Sequence, residues 1–168
     1  PLQISGLGRK DVFFLDRPST YWLHGKEDLA STKLVKAANI APVVLFAFPK
    51  ARKEAIAVSV LYLEAYSLTL GLTQLSKGLV KRTRPYVYNP DASFESKQEG
   101  DARKSFFSGH TSSAAVSCFF AAKVWSDFHP NNRWKPAGWS VAAAIPAVTG
   151  LLRMRAGRHF FTDVAAGY

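Results

Sequence analysis

One cysteine, Cys118, is all the chain contains, so it can form no internal disulfide and offers no Cys/His cluster for zinc. Cys118 lies in the apolar run Ala114 to Ala122 and reads as a small buried residue. Redox compartment is therefore not legible from cysteine usage. Acidic residues are also scarce, 12 against 22 lysines and arginines, and they form no cluster that would hold a divalent ion. Period-2 alternation is almost absent, which points away from sheet and leaves an all-α fold. No internal repeat and no low-complexity segment is present. The 168 residues suffice for one domain with a proper core. The chain opens on Pro1 and stops at Tyr168 just after a helix-like start, so both ends read as cut. A signal or first membrane span would then lie outside it.

What is present is basic charge and apolar length, kept apart. The formal net charge is +10 and the sequence pI is about 9.9, a balance that suits phosphate-bearing ligands, anionic membranes or nucleic acid. Residues 1–33 are mixed and polar, and read as short helices or loops against the body or a membrane interface. From Leu34 to Phe48 the chain turns apolar, then breaks at Lys50, Arg52 and Lys53. Ala55 to Ser76 carries one charge, Glu64; as a helix it would be roughly 33 Å long, enough to cross a bilayer core. Glu64 and Gln74 keep a buried helix of a soluble bundle as the alternative. Tyr86 to Lys104 reads as a loop over the mouth of a site, with Tyr86 and Tyr88 at a lipid interface or capping the bundle. Helices follow at Thr111–Trp125, at Ala137–Leu152 with a kink expected at Pro146, and from His159 onward. Alternating directions make this an antiparallel bundle.

Three basic blocks fall at one end of that bundle. The first runs from Lys77 to Arg84 and Pro85, where proline stops the helix and cations suit phosphate oxygens. Lys81 and Arg82 belong to this field or are simply solvated or lipid-facing. The second is Ser105 to His110, in which Ser108 and Gly109 open a helix whose free amides make an anion site. An ordinary N-cap is the plain alternative. The third runs from Arg153 to Asp163. His159 and Asp163, four apart, would share a helix face, so the carboxylate could fix the imidazole tautomer; a surface ion pair is the plain alternative. Each block is weak alone, and their common location is what gives them weight.

The ordered pattern Lys-x6-Arg-Pro, Ser-Gly-His, Arg-x5-His-x3-Asp resembles the type 2 phosphatidic acid phosphatase family, within the superfamily of vanadium haloperoxidases and bacterial acid phosphatases. The resemblance covers about Leu34 to Tyr168. Phe107 stands where the family has proline and Leu152 where it has serine, a hydroxyl that would support Arg153. The resemblance implies that His159 attacks phosphorus, that Asp163 orients it, and that His110 acts as general acid and base. It implies further that Lys77, Arg84, Arg153, Ser108 and Gly109 hold the phosphoryl oxygens, with no metal or cofactor. The expected substrate is a lipid phosphate or pyrophosphate. The expected site is a membrane of the bacterial inner type, with the catalytic end outward by the positive-inside tendency. A vanadium haloperoxidase holding vanadate on His159 is the nearest alternative. A non-catalytic protein that binds anionic lipid is the next. No groove-reading motif supports nucleic-acid binding.

Overall fold

The computed structural model describes residues 7–168, and among them there is helix but no strand. The long helices are α1 (Gly25–Ala38), α4 (Ala55–Val80), α6 (Gly109–Phe128) and α7 (Lys135–Arg155). Between α1 and α4 lie the short α2 (Ala41–Val44) and α3 (Pro49–Lys53). A short α5 (Phe94–Gln98) interrupts the connection to α6, and α8 (Phe161–Gly167) closes the described chain.

The middle of the bundle is α6, which packs on α7, α4 and α1. Its sequence explains that position. Ala114, Ala115, Cys118 and Ala122 are buried together with Ser113 and Ser117, and such small side chains let neighbouring helix backbones approach closely. The hydroxyls are not left orphaned. Ser117 Oγ donates to Asn39 Oδ1 at 2.9 Å and lies 2.9 Å from the Tyr62 hydroxyl, while Asn39 Nδ2 donates to the Tyr66 hydroxyl. One polar knot therefore ties α1, α4 and α6 at mid-bundle.

The most apolar helix is not the central one. α4 lies at the periphery with Ile56, Leu63, Leu68 and Leu79 more than three-fifths exposed. That outcome disfavours the buried soluble helix and fits a helix facing lipid. Among the described residues, three stretches are long and apolar enough to cross a membrane: Gly25–Ala47, Ala55–Tyr88 and Lys135–Arg155. α7 runs unbroken through Pro146, which is buried.

Two sequence expectations need correction. The polar N-terminal segment does not merely lie against the body, because α1 begins at Gly25 and packs on both α6 and α7. Its mixed composition concealed a helix with a narrow buried stripe, Ser31, Val35 and Ala38. The Tyr86–Lys104 connection is likewise no open loop, since it carries α5 and 3-10 turns at Pro85–Tyr88 and Gly100–Arg103. Tyr86 is buried, with its amide donating to Gly157 O at 2.9 Å, so it caps the bundle.

Candidate active site

Chain direction brings the three blocks together. α4 and α7 arrive at the same end with Lys77 and Arg153 in their last turns, and α6 and α8 depart from it. α1 also starts there.

His159 is fully buried just ahead of α8, whose N-cap is Phe160. It is therefore not on a helix face with Asp163, although the carboxylate still lies beside the ring. The His159 Nδ1 atom lies 3.8 Å from Asp163 Oδ2 but 2.6 Å from the Ser105 carbonyl. A carbonyl only accepts, so Nδ1 carries the proton and Nε2 keeps its lone pair. Nε2 lies 3.5 Å from Arg84 Nη1. Burial lowers the His159 pKa, and the positive charges of Arg84 and Arg153 push it the same way against the pull of Asp163. The imidazole is thus neutral, with a free nitrogen facing cations.

Asp163 acts one step back. Its Oδ2 accepts from Ser105 Oγ at 2.5 Å and from the Phe160 amide at 2.9 Å, while Oδ1 accepts from Arg82 Nη1 at 2.5 Å. Burial would raise this carboxyl, but His159, Ser105 and Arg82 around it hold it below the usual range. Arg82 in turn donates to Asp16 at 2.7 Å and to Thr162 Oγ1 at 2.7 Å, and Asp16 also accepts from the Thr162 amide. The reading of Arg82 as a solvated or lipid-facing cation is corrected, whereas Lys81 is exposed at the α4 C-cap.

A second network fixes the arginines. Arg153 Nη1 donates to Asp28 of α1 and lies 3.3 Å from Ser31 Oγ. Arg153 is thus held from α1, although Leu152 offers no hydroxyl beside it. Asp28 Oδ2 also accepts from Arg158 Nη2 at 2.9 Å, and Arg84 donates to Asp101 at 2.9 Å. The Arg153 Nε is buried with no hydrogen-bond partner, so a donor remains for an anion.

On the opposite wall, Ser108 caps α6. Its Oγ lies 2.8 Å from Thr111 Oγ1 and accepts from the Thr111 amide. The hydroxyl thus serves as the helix cap by accepting, and its own proton is not committed by these contacts. The amides of Gly109 and His110 stand at the helix start without an intrahelical acceptor. A Cβ on Gly109 would lie 3.3 Å from Lys77 Nζ and 3.1 Å from Thr73 Cγ2, so the lysine sits close against the helix start and a larger residue there would push it by a few tenths of an ångström. His110 Nε2 is 3.4 Å from Thr32 Oγ1. Burial lowers the His110 pKa to about 4, reinforced by the charges of Arg153, Lys77 and Arg84 against Asp28.

The arrangement brings two histidines, three cations and a helix start within reach of one another's charge. The sequence model of the PAP2 superfamily matches residues 58–168. The chain belongs to the PAP2 superfamily. That membership places it among enzymes of the phosphatase and haloperoxidase-like class, and its long apolar helices mark a membrane protein. No curated protein and no solved structure matches the chain. The PAP2 match takes in Lys77, Arg84, Ser108, Gly109, His110, Arg153, His159 and Asp163 but not Asp16 or Asp28. Those two carboxylates, with Ser105, escaped the sequence reading. Ser105 stood inside a quoted block, where nothing but a partner in space could single it out, and Arg82 was named there without a partner.

Proposed function

We propose that this PAP2 protein is a phosphatase that releases phosphate from a membrane lipid phosphate or pyrophosphate through a phosphohistidine intermediate. The observation that carries it is the His159 ring, pinned by Nδ1 on the Ser105 carbonyl with Nε2 unprotonated beside Arg84.

In the first step the Nε2 lone pair forms the N–P bond as the bond from phosphorus to the leaving oxygen breaks. His110 delivers a proton to that oxygen. In the second step neutral His110 takes a proton from water, the water oxygen attacks phosphorus, and the N–P bond breaks to return His159. Lys77, Arg84, Arg153 and the Gly109 amide hold the equatorial oxygens, whose charge is the main thing to stabilise. Because His110 is neutral in the free protein, a bound phosphate dianion must raise its pKa for it to act as acid. Ser105 is the group that sets the His159 tautomer, and Asp163 acts through it.

Two features support a lipid substrate. The outer face of α4 is apolar. A groove of about 340 Å³ between α4, α6 and α8, lined by Leu72, Val116 and Phe119, reaches Phe107, which adjoins Ser108 in the chain.

The test is inorganic phosphate release from a panel of lipid phosphates and pyrophosphates, in EDTA, by wild type and His159→Ala. Release that survives EDTA and disappears in the variant supports the reading. Well-folded wild type that releases phosphate from nothing in the panel, yet oxidises halide once loaded with vanadate, overturns it.

A further inference from the structure

The segment leading into α1 places an exposed apolar tip directly beside a buried polar node. Phe13, Phe14 and Leu15 are 53%, 63% and 47% exposed, whereas Asp16, the next residue, is fully buried. Phe13 and Phe14 stack edge to face with ring centroids 4.7 Å apart, so they present one apolar knob. The chain is held rigidly behind it. The Asp16 amide and the Arg17 amide both donate to Phe13 O, and Arg17 Nε donates to Val12 O at 2.9 Å.

The node fixes where that knob lies. Asp16 accepts from Arg82, two residues beyond the exposed Val80 that ends α4, and from Thr162, which follows the exposed Phe161 of α8. The tip therefore lies level with the last apolar residues of the lipid-facing helix, at the end that carries the site. Around it are Arg9, which stacks on Tyr21 at 4.3 Å, exposed Lys10, and Arg17. Exposed aromatic and aliphatic side chains flanked by three cations and one exposed acid, Asp11, at the end of the lipid-facing helix match an interface with anionic headgroups.

We propose that the Phe13–Leu15 tip docks into the membrane surface beside the active site, on a leaflet containing anionic lipid, and that Asp16 couples this docking to the site. Insertion holds Asp16 against Arg82 and Thr162. Arg82 then clamps Asp163, which orders Ser105 and through its carbonyl the His159 ring. Docking itself is independent of the proposed phosphatase chemistry; the coupling rests on that reading.

Two experiments on the chain reconstituted in phosphatidylcholine vesicles, with and without phosphatidylglycerol, test it. In a Cys118→Ala background, a nitroxide at Phe14→Cys is compared with one at the exposed Glu95→Cys. Docking predicts that the Phe14 label becomes more accessible to oxygen and less accessible to an aqueous nickel chelate, most strongly with phosphatidylglycerol present. Equal nickel access at the two positions overturns docking, whatever the catalytic activity. The second experiment measures Phe13→Ser/Phe14→Ser. Turnover of both a vesicle-borne lipid phosphate and a short-chain soluble phosphate is expected to fall at least about fivefold in the vesicles, a low floor for losing two partitioning side chains, because the coupling acts on the His159 ring. In micelles of a neutral detergent, variant and wild type are expected to turn over the soluble phosphate equally. An equal fall in vesicles and micelles would show a packing role only, and no fall in vesicles, or a fall on the lipid phosphate alone, would overturn the coupling. Silence of wild type on both substrates overturns the phosphatase reading on which the coupling rests and leaves docking to the nitroxide result.

Discussion

His159 Nδ1 meets the Ser105 carbonyl at 2.6 Å, while the Asp163 carboxylate stands 3.8 Å from the same atom. A backbone carbonyl, not a carboxylate, thus sets the imidazole tautomer, and Asp163 holds the strand of chain that carries it.

That division separates two variants. Ser105→Ala keeps the carbonyl but removes the 2.5 Å bond to Asp163, and should cost about 1–3 kcal/mol of stability, the scale of a hydrogen bond to a charged group. We expect kcat to fall with KM nearly unchanged, because no phosphate contact is removed. Steady-state kinetics with chemical denaturation checks both; a raised KM alone would contradict the assignment.

Arg82→Ala leaves Asp163 and Asp16 buried without their cation. Breaking a buried pair from one side typically costs about 3–5 kcal/mol, and the Arg82 side chain is 26% exposed, so the lower part of that range is expected. Arg82→Lys should recover part of it. Thermal unfolding of the two variants in the same detergent measures the difference.

Asp28→Asn removes the negative charge shared by Arg153 and Arg158 and turns one of the two accepting oxygens into an amide donor. Positive charge at the site is kept or increased, so affinity for inorganic phosphate should not weaken, yet Arg153 loses its fixed direction. The expected result is a kcat loss of about tenfold or more with an unchanged or lower KM. Phosphate inhibition constants measured beside kcat would refute this if binding alone were lost.

The histidines make a pH prediction with a definite sign. His110 is pushed down to about 4 and His159 is also lowered, from an unfolded value of about 6.5. The unfolded chain therefore binds protons first. Stability is fully present above about pH 6.5 and is lost as pH falls toward about 4. Vanadate or phosphate should restore the His110 proton, so their binding takes up protons and raises Tm more on the acid side of neutrality. Calorimetric proton uptake in two buffers tests it, and zero uptake at neutral pH would count against His110 as the acid.

Much of this was legible in residue order. Apolar blocks and basic breaks specify helices and their ends, because helix length and burial follow local composition. Alternating direction then forces Lys77, His110, Arg153 and His159 to one end. The resemblance to the PAP2 motifs named candidate site residues, and these lie near helix ends. Other features were beyond it. The four-residue step from His159 to Asp163 suggested a helix face, but α8 starts only at Phe161, since the chain ahead of it is held extended by the Ser105 contact. Which helix is central was decided by side-chain size on α6, not by hydropathy, which favoured α4. Asp16 and Asp28 carry no local signal at all, because a carboxylate becomes a clamp only when a guanidinium more than 60 residues away is folded against it. Composition and spacing thus determined the helices, their polarity and the candidate site residues. Tertiary packing alone decided which oxygen accepts from His159 Nδ1 and which carboxylates hold the cations, since those are short-range contacts between residues distant in the chain.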